Sequence, residues 1–180
     1  MQVVKYKESL FPYRQAIINL YLQAFPIEER KPVDLLFTHA ESEKSDIYII
    51  TDDTGAFSGF FVTIYNDSIM IIEYLAISNQ ARGKGIGSQA ISWLVKTFPT
   101  HNLVVEIEET QVQAEDLDLR LKRRYFYEKH DFVFINQSIQ FFDIHLELMA
   151  TRPDLNYHDY IGPYEYLYGS DIRKKIYFLK

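Results

Sequence analysis

The stretch RGKGIG, residues 82–87, sets three glycines in five positions beside two cations, directly after the hydrophobic run SIMIIEYLAIS and before an apolar helix. Glycines there let the backbone bend tightly and clear side chains from the amides, while a helix N-terminus presents unpaired N–H groups. Such a site suits phosphate. Arg82 and Lys84 add positive charge beside those amides, so a pyrophosphate is better matched than a carboxylate. Residue order excludes two nucleotide motifs. A P-loop needs Lys-Ser or Lys-Thr after its last glycine, whereas Lys84 precedes Gly85 and Gly87; a dinucleotide fingerprint needs glycine where Ser88 stands.

A turn of this kind works only if a strand feeds it and a helix leaves it, and the surrounding pattern supplies both. From Ile86 onward Ala90, Ile91, Leu94, Val95 and Phe98 recur at helical spacing until Pro99 stops them. Upstream, DIYIIT, FSGFFVTIY and SIMIIEYLAIS read as three antiparallel strands joined by the short turns DDTG and ND. Downstream, NLVVEIE reads as a strand whose helical crossover makes it parallel to the one before the glycine turn. QVVKYKES opens the chain as a strand. A helix follows with Tyr13, Ile17, Leu20, Tyr21 and Ala24 on one face, and a second helix covers about residues 33–40. AEDLDLRLKRRYFYEKH reads as a charged helix with Leu117, Leu121 and Tyr125 along one side, and FVFINQ and FFDIHLELM as closing strands. The expected fold is α/β with a mixed, mostly antiparallel sheet.

At 180 residues the chain fits one domain, 1–180, whose Tyr-rich extension from about residue 153 is its least readable part. A net charge of -6 argues against nucleic acid as partner. No apolar run reaches the roughly 20 residues of a membrane helix, and MQVVKYKESLF lacks a signal-peptide core. With no cysteine there is no thiol nucleophile and no disulfide, which fits a reducing compartment. The expected location is the cytoplasm. His39, His101, His130, His145 and His158 show no metal-ligand spacing beyond a chance HLE, so no metal is expected.

RGKGIG also matches the R/Q-x-x-G-x-G/A signature of the GNAT (GCN5-related) N-acetyltransferases, with Arg82, Gly85 and Gly87 in the signature positions. RRYFYEKHDF, farther on, is similar to that family's second signature. The sequence therefore resembles a GNAT protein over roughly residues 46–149. Two departures stand out: Asp131 replaces the glycine before the closing Phe132 and must take the same helix-ending turn, and Arg120 replaces a small amide-bearing residue.

The resemblance implies acetyl-coenzyme A as donor, a small-molecule or peptide amine as acceptor, and direct attack without an acyl-enzyme. It implies a parallel strand pair that splays at the donor site, where the backbone of Leu75, Ala76 and Ile77 pairs with the pantetheine arm and an Ile77 N–H meets the developing oxyanion. Arg82, Gly83, Lys84, Gly85, Ile86, Gly87 and Ser88 would hold the diphosphate.

A protonated amine has no lone pair, so a base must take its proton. Glu73 is the leading choice, being the only carboxylate of residues 69–77 and sharing a strand face with Leu75 and Ile77; pairing with a basic neighbour is the plain alternative. Glu106 and Glu108, on the next strand, are the other options. Tyr127 fits the family's helix tyrosine, which reaches the coenzyme A sulfur and donates to the leaving thiolate. Glu28, Glu29 and Arg30 of FPIEERKP either meet a polar substrate or stay solvated, and LKRR either reaches the 3′-phosphate or faces water. The Tyr-rich tail either covers the acceptor pocket or packs against a second subunit in a homodimer. A coenzyme A cradle kept as a non-catalytic sensing or assembly module is the competing reading.

Overall fold

Apolar runs bounded by turn residues become the strands, and helical repeats bounded by proline or glycine become the helices, in an α/β fold whose sheet is mostly antiparallel with one parallel pair. The computed structural model describes residues 1–41 and 44–179. It divides into two compact units, one of Met1–Ile64 and Glu73–Thr97, the other of Tyr65–Ile72 and the chain from Phe98 onward.

The first unit holds β1 (Gln2–Lys5), α1 (Arg14–Ala24), α2 (Val33–Glu41), β2 (Ser45–Thr51), β3 (Phe57–Tyr65, to Ile64), the C-terminal half of β4 (Ile69–Ile77) and α3 (Ile86–Thr97). Its strands lie in the order β1-β2-β3-β4. Ile17, Leu20 and Tyr21 of α1 and Leu36 and Phe37 of α2 bury one face of these strands, against Ile47, Ile49, Phe60, Val62, Tyr74 and Ala76. On α3, Ala90, Ile91 and Leu94 are buried, and Trp93 meets the stacked rings of Tyr48 and Phe61. Since β2 and β3 are covered on both faces, they read as continuous apolar runs rather than alternating ones.

Along β4 the burial changes character. Residues 69–72 are buried on both faces, but from Glu73 onward Tyr74 and Ala76 are buried while Glu73, Leu75 and Ile77 retain solvent access. The alternation of side chains along a strand therefore puts the last three together on the other, partly covered face.

The second unit pairs the start of β4 with β5 (Asn102–Glu108) in parallel, through Ile69 with Asn102, Met70 with Leu103 and Ile71 with Val104. β6 (Val133–Phe141) and β7 (Ile144–Ala150) form a hairpin, β7 pairs antiparallel with β5, and β8 (Ile176–Phe178) pairs with β6. α4 (Leu117–Glu128) precedes the hairpin. The expected apolar side of α4 is not its packed side: Leu121 and Tyr125 are exposed, and Tyr127 is the buried residue. The partly covered positions instead run through Leu117, Arg120 and Arg124 to Tyr127 at helical spacing. The arginines are accommodated there because Arg120 is bonded to Asp116 and the Glu109 carbonyl, and Arg124 to Glu128 and Thr110.

The Tyr-rich tail forms α5 (Tyr157–Tyr168), capped by the Asn156 side chain on the Asp159 N–H and closed at Gly169, followed by a 3-10 turn and β8. α5 approaches the β3–β4 turn closely at Gly162, where a Cβ would lie 2.7 Å from Asn66 Nδ2 and the Asn66 side chain would have to move.

Candidate active site

Ser78 ends β4, and its carbonyl accepts the amides of Ala81 and Arg82 to start the turn. Gly83 and Gly85 then take φ of 74° and 75°, values that L side chains seldom adopt, and the Cβ each lacks would meet nothing nearer than Gln89 Nε2 at 4.0 Å. Backbone conformation, not crowding, requires glycine here. At the start of α3 the Gln89 N–H donates to the Gly85 carbonyl at 3.0 Å, so the amides of Ile86, Gly87 and Ser88 stand at the helix's open end. Gly83, Lys84 and Gly85 are exposed, and exposed Arg82 folds back so that its Nε donates to the Ile77 carbonyl at 3.1 Å. The turn is thereby tied to the strand end that feeds it.

That strand end is held from its other side by β3. A Cβ on Gly59 would lie 2.4 Å from the Ala76 carbonyl oxygen and 3.1 Å from Ile77 Cα, and the register of β3 on β2 skips Ser58 beside it. Only glycine admits so close a backbone approach. The Ser78 N–H closes the contact on the Ser58 carbonyl at 2.9 Å.

Glu73 does not stand in an apolar setting. Its Oε2 accepts from Lys31 Nζ at 2.6 Å, with the two side chains 7% and 8% exposed. Lys31 belongs to FPIEERKP, the segment between α1 and α2, but sequence reasoning passed over it in favour of Glu28, Glu29 and Arg30. The segment is anchored by aromatic residues. Tyr74 Oη donates to the Glu29 carbonyl at 2.9 Å and accepts the Lys31 N–H at 3.3 Å, and Tyr21 Oη donates to the Lys31 carbonyl at 3.1 Å. Tyr21, Phe25 and Tyr74 meet edge to face or tilted, with centroids 4.9–5.6 Å apart. Burial, followed by the Glu73 charge, pushes the Tyr74 phenol far above its ordinary range; Tyr21 is raised as well, chiefly by burial. Both phenols stay protonated and work as hydrogen-bond donors.

Tyr127 lies in the second unit, one residue before the end of α4. Burial pushes its phenol up to about 12, against a smaller opposing effect of Arg123. Its ring packs on Phe126 and Phe132. The helix ends as its sequence requires: Asp131 takes φ of 65°, and the Phe132 N–H returns to the Tyr127 carbonyl at 3.2 Å.

The two other candidate carboxylates, also in the second unit, are both engaged. Glu106 Oε1 accepts from the hydroxyls of Tyr160, at 2.5 Å, and Tyr164, at 2.7 Å, and Glu108 pairs with Arg123. LKRR therefore spends Arg123 and Arg124 on Glu108, Glu128 and Thr110. Among the described residues no group of three or more His, Asp or Glu is arranged to hold a metal ion, and no helix is long and apolar enough to cross a membrane.

Comparison with known proteins agrees with this architecture. The acetyltransferase (GNAT) family profile matches residues 14–132. YjbC of Bacillus subtilis (strain 168), provisionally named an acetyltransferase, is 32% identical over 109 residues; the match takes in 59% of this chain and 51% of that protein, so the chain spans about half the length of the curated relative it matches. Among solved structures, a provisionally assigned GNAT-family acetyltransferase from Bacteroides thetaiotaomicron superposes with a TM-score of 0.77 at 21% identity, over 94% of this chain and 99% of that one. An aminoglycoside 6'-N-acetyltransferase complexed with coenzyme A superposes with a TM-score of 0.67 at 15% identity, over 87% of this chain and 100% of that one.

Proposed function

The chain belongs to the GNAT acetyltransferase family, and from that premise we propose that it transfers an acetyl group from acetyl-coenzyme A to a primary amine of a small molecule or peptide by direct attack. The observation that carries the proposal is the turn after β4: two glycines at positive φ, an open helix N-terminus and the cations Arg82 and Lys84, the requirements of a diphosphate cradle. The amides of Gly83, Lys84, Gly85, Ile86, Gly87 and Ser88 take the diphosphate. The backbone of Leu75, Ala76 and Ile77, at the end of β4, takes the pantetheine arm, and the Ile77 N–H serves the oxyanion. Because Arg82 and Gly59 fix that stretch from two sides, the donor amide is set in advance and needs no reorganisation during reaction.

Glu73 is the proposed proton acceptor for the amine, and Lys31 holds its carboxylate in place. Tyr127 is assigned to the leaving sulfur by its motif. A phenol near 12 handing its proton to an ordinary thiolate near 8.5 would climb by about 5 kcal/mol. Tyr127 therefore steadies the departing thiolate with a hydrogen bond and keeps its own proton.

A second reading has one specific support, since a carboxylate already paired with an ammonium is a reluctant base. In that reading the chain is a coenzyme A-binding module without catalysis. Thermal unfolding with acetyl-coenzyme A, followed by thiol release across amino acids, peptides, aminoglycosides and polyamines, separates the two. Stabilisation with release supports the enzyme, stabilisation without release supports the module, and stabilisation by ATP or NAD instead would refute both.

A further inference from the structure

Charge around Glu73 is arranged against a second cation. Its carboxylate is engaged by Lys31 Nζ at 2.6 Å, and Arg30, the neighbouring residue, lies close enough to act on the Tyr21 phenol, as Glu73 itself does. The titratable groups about the pair include Tyr74 of β4 and Tyr21 of α1, both raised and neutral, and His39 of α2. Burial first and the Lys31 charge second lower the pKa of His39, so its imidazole is neutral at pH 7. A fixed ammonium thus already occupies the Glu73 carboxylate. An ammonium brought to Glu73 has either to displace Lys31 from a contact that is almost sealed from water or to lie beside it, where screening is weak and like charges repel.

We propose that Lys31 is a specificity-determining residue which selects weakly basic acceptors, such as the α-amino group of an amino acid or peptide, and disfavours polyamines and alkylamines. The inference rests on the proposed role of Glu73 as proton acceptor. An α-amino group with a pKa of about 8 is roughly one-tenth neutral at pH 7, whereas an alkylamine near 10.4 is neutral in roughly four molecules in ten thousand. A carboxylate free to bind an ammonium would narrow that gap of about two hundredfold by attracting the cation and taking its proton. With Lys31 in place, the neutral amine is the species that can approach, and Glu73 takes its proton only after nitrogen has bonded to the acetyl carbon and become acidic.

The test measures thiol release from acetyl-coenzyme A with glycinamide, an α-amine, and with propylamine and spermidine, in the full-length protein and its Lys31→Met, Lys31→Gln and Lys31→Arg variants. The wild type is expected to favour glycinamide over propylamine in kcat/KM by about a hundredfold or more. Lys31→Met and Lys31→Gln should shrink that ratio at least tenfold, while Lys31→Arg retains it. Preference of the wild type for propylamine or spermidine, or an unchanged ratio in a folded Lys31→Met or Lys31→Gln protein, overturns the inference and leaves the acetyltransferase reading standing. No release from any amine removes both. Should neither neutral variant fold, the wild-type preference decides alone.

Discussion

The Lys31 ammonium and the Glu73 carboxylate meet at 2.6 Å, one from the segment after α1 and the other from β4, with 8% and 7% of their side chains exposed. A pair so enclosed gains strong attraction and loses hydration in comparable measure, so its net contribution is small while the cost of breaking it is not. Removing either partner strands a buried charge, and Lys31→Met or Glu73→Gln should each cost about 3–5 kcal/mol. The double variant should recover most of that loss. Urea unfolding with unchanged m-values gives the coupling directly, and single losses below about 1 kcal/mol would place the pair among solvated ones instead.

The glycine turn separates conformational from ligand effects. Gly85→Ala meets no neighbour closer than about the ordinary contact distance but must hold φ near 75°, at a cost of about 1–2 kcal/mol. Gly55, in the turn between β2 and β3, has φ of 85° and equally open surroundings. Gly55→Ala is therefore the matched control. Both variants should lose similar stability, and only Gly85→Ala should weaken acetyl-coenzyme A binding, at least tenfold by calorimetry. Equal binding by the two variants would remove the turn from the donor site.

How much of this was legible in the residues depended on the range of the interaction. β3 and β5 have the bounds expected for them, because apolar runs cut by DDTG, ND or proline are local signals. That Glu73, Leu75 and Ile77 share one face of β4 followed from alternation alone. Lys31 could not be found that way: its partner is 42 residues distant, and nothing in FPIEERKP distinguishes it from Arg30. α5 was obscured by Gly162 and Pro163, which read as breakers although Tyr157, Tyr160, Ile161, Tyr164 and Leu167 already carry a helical repeat. On α4 the apolar count misled, because the side that packs carries two arginines with partners of their own.

Alkaline pH provides a third prediction. Tyr21, Tyr74, Tyr127 and Tyr160 all have phenols raised above 10, with burial the first cause in each. Between pH 10 and the folded values, unfolded phenols release protons that folded ones keep, so the unfolded chain binds fewer protons and stability falls as pH rises. That stability is fully present below pH 10. The protein should lose it from about pH 10 upward, with these four phenols absorbing as phenolates only as the chain unfolds. Tyr127→Phe should shallow the slope above pH 10 and leave stability at pH 7 to 9 without added pH dependence. Full ionisation of every tyrosine at pH 11 with the fold intact would contradict the assigned burial.

The last prediction concerns Glu106, whose Oε1 receives two hydroxyls from one helix. Tyr160 and Tyr164 are 0% and 1% exposed, so replacing either with Phe leaves the ring packed and removes a donor to a charged acceptor, a loss of about 1.5–3 kcal/mol. Since both hydroxyls serve the same oxygen, the first loss leaves that oxygen one donor from α5 and the second leaves it none from α5. The double variant should therefore lose more than the sum of the singles, by chemical denaturation of the full-length chain. Glu106→Gln keeps an acceptor of the same shape without the charge, and on that background the two Phe substitutions should each cost less than in the wild type. A tail that merely hangs from the second unit would show neither the loss nor the coupling. Additive losses under about 0.5 kcal/mol each would mean that α5 is held by its buried rings alone, with Glu106 free to turn elsewhere.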